Sequence, residues 1–560
     1  MTSFCSRLAR ATVGFSLIVV LWGSIDARAQ EIGEGAATGG ACANNGAGAF
    51  AVPLSKPHWN GWGVDASQHR FQPADMARLA PSDVARLKLK RAFGFRGAVR
   101  SVAQPTIFGG RVFVGSQNGK VYSLDAKSGC RYWQFEAGKP VRSAIVIGPR
   151  GDGWAAYFGD AGANAYAIDA LTGNALWTTK VDQHPTAVIT GSPTLVGTIL
   201  FVPVSSYEEA KAKAPSYGCC TFRGSVVALE AASGKILWKT YTIAQEAKPG
   251  PVNAAGVQLL GPSGAPIWSA PTYDSASQRL YVTTGDNYSD PTTETSDAFL
   301  ALGVGSGELA WTRQITSGDA FTVACPKGAN CPKSNGPDFD FGSSAVLASL
   351  SNGRRVLVAG QKSGVVTALD PDHGGEIVWQ KRVGNGSTLG GVQWGVAADE
   401  NNLYVAVSDP KFHPVAPTTP GAQPLGSGVS LLVDSKAGGG LWALKLETGE
   451  EVWRTPHPGC GDVPGCSPAQ SAAVSAIPGL AFSGGLDGHL RAYFAENGKI
   501  AWDMDTKGDY QAVNGVAAKG GSIDGGGAVV VDGMVYVGSG SGFVGTAPGN
   551  VLLAYSIDGL

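Results

Sequence analysis

Charge is scarce in this sequence. Asp, Glu, Lys and Arg make up 16% of its 560 residues and nearly cancel, to a net −1. No Lys/Arg run stands out, so there is no field to gather nucleic acid or anionic lipid. Histidine is sparse, at 7 residues, and forms no Ser/His/Asp pattern. There is no Cys-x-x-Cys-His, which excludes a covalent c-type haem, and no cysteine spacing suited to zinc. The Gly cluster at 360–364 lacks the strand-to-helix context and the spaced Lys-Ser/Thr ending of a phosphate loop, which excludes nucleotide binding. The one long apolar run, 13–22, is too short to span a bilayer.

What the chain has in quantity is glycine, 80 residues, and a phrase it repeats: apolar-x-Ala-[Leu/Ile/Tyr]-x-x-x-x-Gly-x-x-x-Trp. Full copies lie at 121–133, 165–177, 226–238, 299–311, 366–379, 441–453 and 490–502, and a shortened one at 551–560. Each copy reads as strand, turn and strand, with Gly at a positive-φ corner. One such hairpin cannot bury both faces. Radial stacking of copies can, and the Trp is suited to lodge between adjacent sheets. Residues 89–95 read as a strand without a hairpin, and the last copy as a hairpin without its outer strand. Together they complete one sheet. The expected fold is an all-β, eight-bladed propeller over 59–560, its ring closed by the two chain ends. Pro81-Ser82-Asp83 opens one or two helical turns over 81–89. The long intervals between Trp residues hold insertions at 205–223, 316–341, 409–436 and 455–473, where function concentrates on a rigid scaffold; the 409–436 insertion reads equally as a lid or as a tolerated loop.

The start of the chain reads as a signal peptide over 1–29: Arg7 and Arg10, the apolar run, then Ala27-Arg28-Ala29 as cleavage site. Residues 30–58 read as a flexible Gly/Ala-rich arm. Export to the periplasm is expected, with no membrane span after cleavage. Of nine cysteines, eight remain after cleavage, an even number in an oxidising compartment. Cys325/Cys331 and Cys460/Cys466 each close a short loop, leaving Cys42 for Cys130. Cys219-Cys220 are neighbours, and a bridge between them is strained, a property that collects at functional sites.

The Trp-ended repeat, with the opening segment Trp59…Arg70-Phe71…Leu87…Phe93-Gly94-Phe95, resembles the quinoprotein alcohol dehydrogenases, eight-bladed propellers that bind pyrroloquinoline quinone (PQQ) and calcium. The resemblance runs from about Trp59 to Leu560. The closing run 509–521 and the phrase Cys219-Cys220-x-Phe222-Arg223-Gly224 are most similar to the polyvinyl alcohol dehydrogenase branch. Calcium needs several hard oxygens, carboxylates prominent among them, and three acids from separate blades answer. The resemblance implies Glu208 as the calcium-ligand glutamate, with Glu209 the alternative one register away. It implies Asp286 or Asn287 as the second ligand. It implies Asp340 as the catalytic aspartate that also contacts the metal, with Asp338 the alternative. Relatives that use lanthanides carry a further Asp two positions on; Gly342 stands there, which favours calcium.

Cofactor recognition needs a flat apolar platform and cations for the PQQ carboxylates. Trp268, eighteen residues before Asp286, matches the family's stacking Trp. Lys362 matches its basic residue near the quinone oxygens, and Thr190 a hydroxyl contact. Arg142 and Trp394 match further contacts, and Cys219 and Cys220 the vicinal disulfide over the PQQ plane. The implied activity is oxidation of an alcohol, small or polymeric and with secondary alcohols and polyvinyl alcohol in view, to a ketone or aldehyde. Electrons then pass to a separate cytochrome c. A propeller scaffold that binds other envelope proteins shares the Trp repeat and is the competing reading.

Overall fold

The computed structural model describes residues 40–43, 56–426, 429–542 and 546–560. The expected signal segment and most of the expected arm lie outside these. The strands form eight antiparallel blades, at 106–136, 146–180, 187–241, 272–314, 346–382, 397–455, 475–505 and 529–557. The short first strand of one blade packs beside the first strand of the next, which sets these strands around a common axis. The eighth blade is built from both ends of the chain. Leu87–Gly94 pairs antiparallel with Val551–Ile557, Leu87 opposite Ile557 and Gly94 opposite Val551.

The repeat explains how neighbouring blades grip. In each full copy the residue directly opposite the Trp is small: Ser123 faces Trp133, Ala167 faces Trp177, Ala228 faces Trp238 and Ala443 faces Trp453. A register shift follows at once. The indoles of Trp133, Trp177, Trp238, Trp379, Trp453 and Trp502 then reach the following blade and donate Nε1–H to a carbonyl there. Trp177 bonds Ala231 O (2.9 Å), Trp379 bonds Leu446 O (2.9 Å) and Trp453 bonds Ala495 O (2.8 Å). Trp502 donates to Leu87 O (3.3 Å), on the strand the N-terminal part supplies. The repeat glycine sits against the ring: a Cβ on Gly449 (φ +72°) would lie 2.5 Å from Trp379. From the second full copy onward, each Gly is thus required both by its positive φ and by the Trp of the blade before it.

The helical expectation at 81–89 is met by a 3₁₀ helix at Pro81–Arg86; from Leu87 the chain is already strand. The insertion at 409–436 carries a small sheet of Phe412–Val415, Gln423–Gly426 and Val429–Val433. Disulfides join Cys42–Cys130, Cys219–Cys220, Cys325–Cys331 and Cys460–Cys466. Among the described residues, no helix is long and apolar enough to cross a membrane.

Candidate active site

The segments that lead into the first strands, and those that link second to third strands, emerge at one end of the ring. There they enclose an axial cavity walled from every blade but the seventh, with Trp62 added from the opening segment. Arg142 and Thr190 line it from blades 2 and 3, Trp268 from blade 4, Gly342 from blade 5 and Trp394 from blade 6. Trp268 and Trp394 meet edge to face at 5.2 Å between ring centres, and the Arg142 guanidinium lies 4.8 Å from the Trp394 ring centre. Burial pulls the Arg142 pKa below its ordinary value; Tyr207 and Asp524 oppose the fall. Gly342 packs so closely on Trp268 that a Cβ there would lie 2.0 Å from the indole. Only glycine leaves this ring room.

Beside Trp268 lies a buried charged cluster. The Lys362 ammonium is 5.6 Å from the Trp268 ring centre. It donates to Asp338 Oδ1 (2.7 Å) and Asp340 Oδ2 (2.9 Å). Asp340 Oδ1 accepts the Asp286 amide N–H (2.7 Å). Asp286, Asp338 and Asp340 offer carboxylate oxygens that all lie within 4.8 Å of one another, and all three side chains are buried. Asp319 fixes the loop from below, accepting the amides of Asp338 (3.3 Å) and Phe339 (2.9 Å). Burial first, and then the neighbouring acids, hold the Asp286 carboxyl well above the usual range. Burial does the same for Asp338, against the pull of Lys362. Glu209 is pushed up to about 7 by burial, with Lys362 opposing and Asp340 adding to the rise. Burial alone would lower Lys362; Asp338, Asp340 and Glu209 override it and hold the ammonium above its ordinary value.

A cation fits this donor set. Among the described residues, Asp286 Oδ2 is buried without a hydrogen-bond partner, and both carboxylate oxygens of nearby Asp297 are in the same state. One lysine cannot balance so many acids. Hard, close-set carboxylate oxygens are the coordination that calcium takes. The cavity beside it is lined by an indole platform and a guanidinium, the groups that a planar polyanion needs.

The structure brings Asp286, Asp340, Lys362 and Trp268 together, and places Thr190, Arg142 and Trp394 around the same cavity. Two expected metal ligands have their side chains engaged elsewhere. The Glu208 carboxylate is turned away and occupied: it accepts from Tyr217 Oη (2.7 Å), the Thr221 amide (3.0 Å) and the Phe222 amide (2.8 Å). Its neighbour Glu209 interacts with Asp340 and Lys362 instead, because Glu208 begins a short helix, Glu208–Lys211, whose first residues point different ways. The Asn287 side chain donates to Ser263 O (3.1 Å), on the neighbouring strand, and accepts the Thr293 amide (2.8 Å). The vicinal Cys219–Cys220 pair does not line the cavity either; it is packed among Tyr288, Phe222 and Ala212. Asp338 joins Asp340 rather than replacing it. Asp297 and Asp319 were not anticipated: each is one acid in a loop, without a local pattern to mark it.

A family model described as PQQ_2, outer membrane protein assembly factor BamB, matches residues 70–248 and 362–557. Among solved structures, the quinohemoprotein alcohol dehydrogenase of Comamonas testosteroni superimposes with a TM-score of 0.63 at 18% identity, over 90% of this chain and 81% of that one. The chain is 39% identical to a polyvinylalcohol dehydrogenase of Sphingopyxis sp. (strain 113P3), over 90% of this chain and 76% of that protein. It is 42% identical to a polyvinylalcohol dehydrogenase of a Pseudomonas species, over 91% of this chain and 78% of that protein. Identity at that level across nearly the whole propeller places the chain in the quinoprotein alcohol dehydrogenase family, on its polyvinyl alcohol dehydrogenase branch.

Proposed function

We propose that this protein is a periplasmic enzyme that oxidises secondary alcohols, including those of polyvinyl alcohol, with PQQ in the axial cavity and calcium at the acidic cluster. Electrons leave to a separate cytochrome c. The observation that carries the reading is the cluster of Asp286, Asp338, Asp340 and Lys362 beside the Trp268 platform. It lies almost wholly in 249–361, the segment between the two stretches that the family model matches. The matched stretches are mainly repeat, which a scaffold shares; the intervening segment holds groups that a scaffold does not need.

When bound, PQQ supplies the two-electron acceptor and calcium the Lewis acid that polarises it. The chain's own residues do the rest. Trp268 presents a ring face as platform and Trp394 a second ring set edge-on to it. Arg142 offers positive charge to carboxylates entering from that side. Asp286, Asp338 and Glu209 would hold the cation together with Asp340. Asp340 is the general base: its Oδ1 is anchored on the Asp286 amide, and Oδ2, which also accepts from Lys362, has a second lone pair to take the proton of the substrate hydroxyl. Lys362 keeps a positive charge beside that oxygen.

The test is dye-linked oxidation of secondary alcohols by purified protein, with PQQ and Ca²⁺ each added and omitted, alongside Asp340→Asn. Turnover that needs both additions, and that falls by about 10²–10⁴-fold in the variant, supports the reading. Absence of turnover together with no quenching of tryptophan fluorescence by PQQ would move the protein to the scaffold class.

A further inference from the structure

The loop that leads into blade 8 carries a carboxylate, Asp524, that no sequence pattern marks and that stands between two Gly-rich cavity walls. Its Oδ1 accepts the indole N–H of Trp394, from blade 6. The same oxygen accepts Ser471 Oγ (2.8 Å), from the loop into blade 7, and the Gly525 amide (3.0 Å). Oδ2 accepts Ser541 Oγ (3.2 Å), from the link between the second and third strands of blade 8. One carboxylate therefore ties together three consecutive blades at the rim of the cavity that Gly525 and Trp394 both line.

The indole has a single donor, and Asp524 is where it goes. That bond sets the rotation of the Trp394 ring. The ring's edge-to-face contact with Trp268 depends on this rotation, and so does the face it shows to Arg142, 4.8 Å away. Asp524 also acts on Arg142 through charge, as one of the groups that oppose the effect of burial on that guanidinium. We infer that Asp524 is a positioning residue for cofactor binding: it holds Trp394, and through it Arg142, in the arrangement that receives the planar anion. The inference rests on the cofactor reading above and adds to it a residue that does not itself face the acidic cluster.

The experiment is a double-mutant cycle of Asp524→Ala and Trp394→Phe, with Asp524→Asn as the isosteric control. It reads the PQQ dissociation constant from quenching of tryptophan fluorescence, and the melting temperature of the PQQ-free proteins from circular dichroism. Asp524→Ala should weaken PQQ binding about tenfold. The effect should shrink below about twofold in the Trp394→Phe background, where there is no indole N–H to hold. Asp524→Asn, which keeps an acceptor for the indole, should lie between wild type and alanine. An Asp524→Ala protein that melts normally and binds PQQ as wild type does would overturn the inference. So would an effect of equal size in both backgrounds. Should alanine fail to fold, the same two comparisons apply to asparagine. If wild type itself gives no quenching, the cofactor reading fails and this inference with it; if wild type binds and the cycle shows no coupling, only this inference fails.

Discussion

At the scale of single residues, the site is decided by what is allowed next to what. Gly342 is the clearest case, because the Trp268 ring occupies the space where a side chain would begin. Gly342→Ala should displace the platform and weaken PQQ binding by more than about tenfold, measured by fluorescence quenching. The larger Gly342→Asp, which imitates the lanthanide-using relatives at this position, should be worse for the same steric reason, whatever cation is offered. A second case is Asp487, buried with His457 (2.9 Å) and Arg491 (2.7 Å). Burial alone would raise its pKa; His457 and Arg491 override that and hold it below the usual carboxylate range. A carboxyl whose folded value is depressed stabilises the fold above its unfolded value, and that contribution is lost as pH falls toward the folded value. Stability should therefore decline below about pH 4. Asp487→Asn should flatten this acid limb and cost about 1–3 kcal/mol at neutral pH, because Arg491 loses one carboxylate and keeps Asp503 (3.0 Å), as read from urea denaturation at a series of pH values.

At the scale of elements, the repeated hairpin works only in company. Its Trp is held by the next blade's turn, and the turn's Gly by the previous blade's Trp. The Ala and the Gly of the phrase, which in isolation look like helix-neutral spacers, are the small residues on either side of one indole. Gly449→Ala meets both a positive φ and the Trp379 ring. It should destabilise by about 2–4 kcal/mol, visible as a lowered denaturation midpoint, whereas Ala on an exposed turn glycine with open space, such as Gly151 (φ +56°), should cost only about 1–2 kcal/mol. The repeat period was legible because every copy solves the same packing problem. The Glu208 register was not. By sequence it ends a buried strand in an acid, but one helical turn at 208–211 buries Glu208 among its own hydrogen bonds and leaves Glu209 to act on Asp340 and Lys362.

At the scale of the whole molecule, the ring is closed by a strand from one end of the chain and a hairpin from the other, and one buried arginine braces the junction. Arg70 donates to Val474 O (2.6 Å), Trp62 O (2.7 Å), Gln104 Oε1 (2.5 Å) and Gly526 O (2.6 Å), joining the opening segment to blades 1, 7 and 8. Its guanidinium lies 4.6 Å from the Trp62 ring centre. Burial lowers its pKa to about 9. Arg70→Met would leave several carbonyls without donors at about 1–3 kcal/mol each, enough to unfold a marginal protein. The expected result is a drop in melting temperature larger than that for loss of any exposed arginine. Because Trp62 and Gly526 line the cavity, loss of PQQ binding should accompany it.

The sequence by itself determined the class of fold, the number of blades and the closure of the ring, because burial of one repeated amphipathic hairpin has a single economical solution and the phrase states that hairpin seven times over. The family resemblance that the repeat carries also marked Trp268, Asp340 and Lys362 as residues to examine. Which acid of each adjacent pair turns inward, which cavity the vicinal cysteines leave alone, and which carboxylate holds Trp394 were decided only in three dimensions. Those choices depend on side-chain direction and on partners hundreds of residues away, as with Trp394 and Asp524 across two blade boundaries. No local pattern carries that information.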